Sequence, residues 1–129
     1  MTPFIKTLWF FLVILIIVTI YQLYIIAVYS PFRISSEEAR KRLAAHEFDV
    51  VLDVRTEVER KTLGFFPRSL HIPRDRLEVD FPHAYPDKEA RILVYCNTGH
   101  RARLATDELH KMGYTNTVYI SSSHMSLIN

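Results

Sequence analysis

The chain has 129 residues, 49% of them hydrophobic, a formal net charge of +2 and a single cysteine. That length holds one domain and a short appended segment, and one cysteine excludes an intrachain disulfide, in keeping with a reducing compartment. The basic residues are scattered and no nucleic-acid motif is recognisable, so no nucleic-acid partner is expected.

Hydrophobicity is concentrated at the N-terminus. After a flank at 1–7, residues 8–29 contain no charged side chain. As a helix they span about 33 Å, against roughly 30 Å of bilayer hydrocarbon. Trp9 near one end and Tyr29 at the other suit the interfacial aromatic belts. The rest of the chain is too short to enclose a helix apolar on every face. A cleaved signal peptide has an apolar core of only about 7–15 residues. The expectation is an uncleaved single-pass transmembrane helix over 8–29, with the lipid bilayer as a partner. Lys6 and the terminal amine precede it, whereas Arg33, Arg40, Lys41 and Arg42 follow it. That excess predicts a cytoplasmic C-terminal domain. A linker at 30–34 reaches at most about 17 Å. The domain is therefore expected close to the membrane surface, with a membrane-associated protein as a plausible partner. The cluster Arg40-Lys41-Arg42 is open to two readings: contact with anionic lipid, or a face turned to water.

The domain itself is expected over 35–129. Ser35 with Glu38 fits a capping box opening a helix to about Ala45, with Ala39, Leu43 and Ala44 as its apolar face. "DVVLDV", 49–54, reads as a buried parallel strand. "RTEVERKTLG" follows as a short helix or turn ending near Gly64. A short strand is expected around Leu70 to Ile72, and "DFPHAYPDKEA", 80–90, reads as a polar, proline-bearing loop. "RILVYC", 91–96, is the second clear buried strand. Residues 101–113 place Leu104, Ala105, Leu109 and Met112 on one helical face, with Gly113 at the C′ position. "TVYI" closes as a last short strand. Strands alternating with helices predict an α/β fold with a mainly parallel sheet.

Cys96 lies where a strand ends and a helix is about to begin. Ligands of open α/β sheets bind outside the carboxyl ends of strands. The first turn of a helix has unpaired N–H groups and a partial positive charge. Successive loop amides can cradle an anion. In the loop Asn97-Thr98-Gly99-His100, Gly99 allows a sharp turn, and Arg101 adds a fixed charge. Such surroundings favour the thiolate, which is the nucleophile. The competing reading is a small apolar side chain in a core.

"CNTGHR", with "VVLDVR" upstream, "LGFFPRSLHIP" between and "GYTNTVYI" after, resembles the single-domain rhodanese family over roughly residues 34–127. The resemblance implies a parallel sheet flanked by helices, here preceded by the transmembrane helix. It implies a sulfurtransferase in which Cys96 takes the outer sulfur of a small donor as a persulfide. A thiol or cyanide acceptor then removes that sulfur. Asn97, Thr98, Gly99, His100 and Arg101 would surround the sulfur. Asp53 and Arg55 match the family's Asp-x-Arg, the carboxylate being expected to hydrogen-bond and orient the active loop. Cys96 to Arg101 is a six-residue loop. Phosphatases sharing this fold resemble it but use a loop one residue longer, so sulfur is favoured over phosphate. The alternatives are a catalytically quiet rhodanese-like binding module at a membrane and, further off, a phosphatase or arsenate reductase.

The match departs in two places. Gly64-Phe65-Phe66-Pro67-Arg68-Ser69 stands where the family often has Gly-His-Ile-Pro-Gly-Ala. Ser122, Ser123 and Leu127 stand where it has a Gly-Gly pair and a later tryptophan. Serine takes a positive φ less readily than glycine, so a rearranged last turn and a shortened closing helix are expected. His71, His83 and Arg103 are given no role. With no metal-ligand spacing and no second cysteine, no metal or cofactor is expected.

Overall fold

A computed structural model of the chain describes residues 2–28 and 30–128. Tyr29, expected at the second membrane interface, and Asn129, expected to end the domain, lie outside the described residues. The chain divides into two compact units, 1–31 and 32–129.

The first unit is one helix, α1 (Pro3–Val28). It begins five residues ahead of the apolar run because its start is well made. The Thr2 hydroxyl accepts the Ile5 N–H at 3.4 Å, and Pro3 sits in the first turn, where its missing N–H has no intrahelical partner to lose. Thr19 returns its hydroxyl to the Leu15 carbonyl at 2.8 Å, so that polar group needs no water. The helix is long and apolar enough to cross a membrane, with a mean hydropathy of 2.5.

The second unit is an α/β domain. Its elements are α2 (Ser36–Ala44), β1 (Val50–Asp53), α3 (Glu57–Leu63), β2 (Leu70–His71), α4 (Leu77–Ala84), β3 (Ile92–Tyr95), α5 (His100–Lys111) and β4 (Thr117–Tyr119). Single 3-10 turns cover Arg74–Arg76 and His124–Leu127. The sheet order is β2-β1-β3-β4 and every pairing is parallel. Residues 32–34, read from sequence as linker, run beside β4. Arg33 bridges Tyr119, and the Ile34 N–H reaches the Tyr119 carbonyl at 2.9 Å.

The two central strands, β1 and β3, are buried on both faces, and period-2 alternation sorts their side chains. Val50, Leu52, Ile92, Val94 and Cys96 join one core layer with Leu77, Phe81, Ala102, Ala105 and Leu109. Val51, Leu93 and Tyr95 join the other with Ala39, Ile120 and Leu127. α4 and α5 therefore cover one side of the sheet, and α2 with the His124–Leu127 turn covers the other.

Four local expectations change. Residues 80–84 are helical, not loop: burial of Leu77 and Phe81 outweighs Pro82, which forfeits one hydrogen bond two residues before the helix ends. Of the face expected on α2, Ala39 is buried, Leu43 half-buried and Ala44 exposed. The cluster Arg40-Lys41-Arg42 is matched within the domain. Arg40 donates to the Ser126 carbonyl at 2.7 Å, Lys41 pairs with Glu37 at 3.4 Å, and Arg42 pairs with Glu47 at 3.4 Å while covering the Phe48 ring. Ser122 and Ser123 take no positive φ. Ser122 instead bonds Ser36 at 2.6 Å and Ser126 at 2.8 Å, and Ser123 caps the closing turn.

Candidate active site

β3 delivers Cys96 to the carboxyl end of the sheet. The chain then turns through Asn97, Thr98 and Gly99 into α5, whose first residue is His100. Gly99 holds φ 100°, and a Cβ there would lie 2.6 Å from Ser121 Cα. Only glycine fits this turn without strain. The result is an N–H aimed at the sulfur: Gly99 donates to Cys96 Sγ at 3.1 Å. Cys96 is 1% exposed, so the sulfur lies at the floor of the loop. Thr98 and His100 are exposed on its outside.

Arg101 does not stand as a free cation beside the sulfur. It forms a two-pronged pair with Glu59 on α3, Nη1 to Oε2 and Nη2 to Oε1, both 2.7 Å. Glu59 also accepts from Asn97 Nδ2 at 3.0 Å. Arg101's hydrogen bonds hold Glu59 well below the usual carboxylate range, at about 2. Sequence reasoning passed over Glu59, although Thr56-x-x-Glu59 is a capping-box pattern. Thr56 and Glu59 form that box at the start of α3.

Asp53 and Arg55 are wholly buried. The contact with the active loop expected of Asp53 is made by Arg55. Arg55 Nε and Nη2 grip the Asp53 carboxylate at 2.9 and 2.8 Å, and it is Arg55 that touches the loop, donating from Nη1 to Asn97 Oδ1 at 3.2 Å. Arg55 Nη2 also reaches the Gly64 carbonyl at 2.7 Å, tying the turn after α3 to the same point. Asp53 takes further bonds from the Tyr95 hydroxyl at 3.0 Å and Arg60 at 3.1 Å. Burial raises the Asp53 carboxyl, but these donors and the Arg55 charge more than offset it, and the net shift is downward. Burial raises the Tyr95 phenol. His71, given no role, donates from Nε2 to the Arg55 carbonyl, 2.7 Å away.

His124, unnoticed in sequence, lies buried near the Tyr95 ring, and its Nδ1 has no partner among the described residues. Burial and the Arg55 charge push its imidazole down, against the pull of Asp53. No group of three or more His, Cys, Asp or Glu among the described residues is placed to hold a metal ion.

Residues 35–127 match the profile of the Rhodanese-like domain family. A rhodanese domain-containing protein of Drosophila melanogaster is 31% identical, over 67% of this chain and 87% of its own length. A sulfurtransferase of Allochromatium vinosum is 30% identical over 63% of this chain and 73% of its own. Among solved structures, a human single-domain sulfurtransferase aligns with a TM-score of 0.62 at 26% identity, covering 75% of this chain and 95% of that one. A rhodanese-related protein of Thermoplasma volcanium gives a TM-score of 0.62 at 25% identity, covering 74% and 89%.

Proposed function

The chain belongs to the Rhodanese-like domain family, and from that premise we propose that it is a membrane-anchored sulfurtransferase carrying sulfur as a Cys96 persulfide. The observation that carries this reading is the six-residue loop from Cys96 to Arg101 with the Gly99 N–H directed at the sulfur. A thiolate there attacks the outer sulfur of a small donor such as thiosulfate. The donor's S–S bond breaks, sulfite leaves with the electron pair, and Cys96 keeps the sulfur as a persulfide anion. Cyanide or a thiol then attacks the terminal sulfur, and the Cys96 thiolate leaves. The negative charge stays at the loop floor throughout, where the Gly99 N–H needs no reorganisation to meet it. Arg55 acts here by holding Asn97, and Asp53 by holding Arg55. The apolar α1 supports a single-pass anchor, and the flanking charges support a cytoplasmic catalytic domain with a membrane-associated partner.

The test is the mass of the full chain in detergent after thiosulfate. One added sulfur is expected on the parent and none on Cys96→Ser, with release as thiocyanate on adding cyanide. No adduct from thiosulfate or a low-molecular-weight persulfide would sink the reading.

The burial of Cys96 favours a second reading, a quiet binding module with an inert thiol. Reactive cysteines are usually partly exposed. Iodoacetamide separates the two: a sulfur carrier reacts well below pH 8, and an inert core thiol does not.

A further inference from the structure

The Glu59 carboxylate gathers hydrogen bonds from the cap of its own helix and from two residues of the distant Cys96 loop. Oε2 accepts from the Thr56 N–H and hydroxyl, both at 2.9 Å, and from Arg101 Nη1 at 2.7 Å. Oε1 accepts from Asn97 Nδ2 at 3.0 Å and Arg101 Nη2 at 2.7 Å. Thr56 begins α3, Asn97 directly follows the sulfur-bearing residue, and Arg101 ends the loop. One side chain thus fixes both ends of the Cys96 loop to the first turn of a helix.

The same contact changes the charge seen by the sulfur. A lone guanidinium at the end of so short a loop would have the thiolate and Asp53 as its remaining anions, and Arg101 responds to both. Pairing to Glu59 satisfies the fork in a two-pronged geometry that only a carboxylate or phosphate matches. Arg101 then has its charge balanced by Glu59.

We propose that Glu59 is a positioning residue for the Cys96 loop, holding Asn97 and Arg101 in place and balancing the arginine so that the Gly99 amide, not a side-chain cation, governs the sulfur. This rests on Cys96 being the sulfur carrier, and the two can fail separately.

The test compares full-length parent, Glu59→Gln and Glu59→Asp in detergent. Two readouts are taken: the pH at which iodoacetamide reacts at half its limiting rate, and sulfur transfer from thiosulfate to cyanide. Gln keeps the shape but frees the Arg101 charge. Its alkylation midpoint should fall by roughly half a pH unit or more, while transfer falls about tenfold to a hundredfold as the loop loses its fixed spacing. Asp keeps the charge but is one methylene short, so its midpoint should stay at the parent value while transfer drops. A more reactive thiol that transfers sulfur more slowly is a signature that simple unfolding does not give. An unchanged Gln variant, a midpoint that rises, or a thiol inert in both parent and Gln overturns the proposal. If Gln does not melt cooperatively, Asp decides: lower transfer at the parent midpoint supports it, and unchanged transfer overturns it. If even the parent takes up no sulfur, the sulfurtransferase reading falls, and the alkylation midpoints still decide the role of Glu59.

Discussion

Arg68 holds φ 64°, in the left-handed region where a Cβ crowds the following carbonyl. Its position in the "GFFPRS" segment is one where the resembled family often has glycine, so the departure visible in sequence has a backbone consequence. Arg68→Gly should stabilise the domain by about 0.5–1 kcal/mol, the strain relief being partly offset by a freer unfolded chain. Chemical denaturation of the full chain in detergent checks this, and a loss of stability would refute it. His124 gives a second expectation. Its imidazole is pushed down by burial and by Arg55, so below the ordinary value of 6.5 the unfolded chain binds a proton that the folded one refuses. Its contribution is complete above about pH 6.5 and is lost as pH falls below it. The melting temperature should drop between pH 7 and 5, and His124→Gln should flatten that slope. The lowered carboxyls do not confound the window: Glu59 loses its contribution only below about 4.5, toward 2. No sequence signal marked His124, because it lies in a turn and its burial is created by the Gly64 turn and Tyr95 closing around it.

The loop between β3 and α5 works through elements rather than single side chains. Gly99 lets the chain turn, and Ser121, following β4, fills the space a side chain would need. Gly99→Ala therefore meets both a positive φ and a backbone atom at 2.6 Å. We expect a loss of about 2–4 kcal/mol and failure to take up sulfur at Cys96; an alanine variant with parent stability would contradict this packing. The strands behind the loop were legible because they are continuous apolar runs bounded by polar residues. The start of α2 was legible through Ser35, whose hydroxyl accepts the Glu38 N–H at 3.1 Å. α4 was hidden because local chemistry argued against it: one proline and two acids outweigh the buried pair Leu77 and Phe81 only when the core is unknown. Glu59 was hidden for the opposite reason. Its capping pattern is local and readable, but its bonds to Asn97 and Arg101 span 38 and 42 residues. A single sequence carries no signal for contacts that only the completed sheet creates.

At the scale of the whole molecule, the chain joins an α/β domain with its own buried core to a helix with none. Nearly every apolar side chain described on α1 is exposed, including Trp9 at 57% and Phe10 at 62% exposure, with Ile25 half-buried. Soluble proteins rarely leave so long an apolar surface uncovered. A bilayer would cover it, and a helix is one of the two backbone structures that can cross hydrocarbon with all its polar groups satisfied. The protein should therefore remain in the membrane pellet after a carbonate wash. Intact mass should show residues 1–29 retained, since a cleaved leader would leave a shorter chain. Replacing Leu15 and Ile17 with aspartate places two charges near the helix centre, at a cost of about 5–7 kcal/mol in insertion. That variant should appear in the carbonate supernatant. Orientation is read separately: protease added to intact cells should spare the domain, and detergent should expose it. The charge argument for orientation is weaker in the folded chain than in the bare sequence, because Arg40, Lys41 and Arg42 each have a partner inside the domain. Topology is set during insertion, however, before those partners have formed, so the basic residues following the span still count. Digestion from outside in intact cells would reverse the orientation. Release of the parent chain by carbonate would remove the anchor altogether.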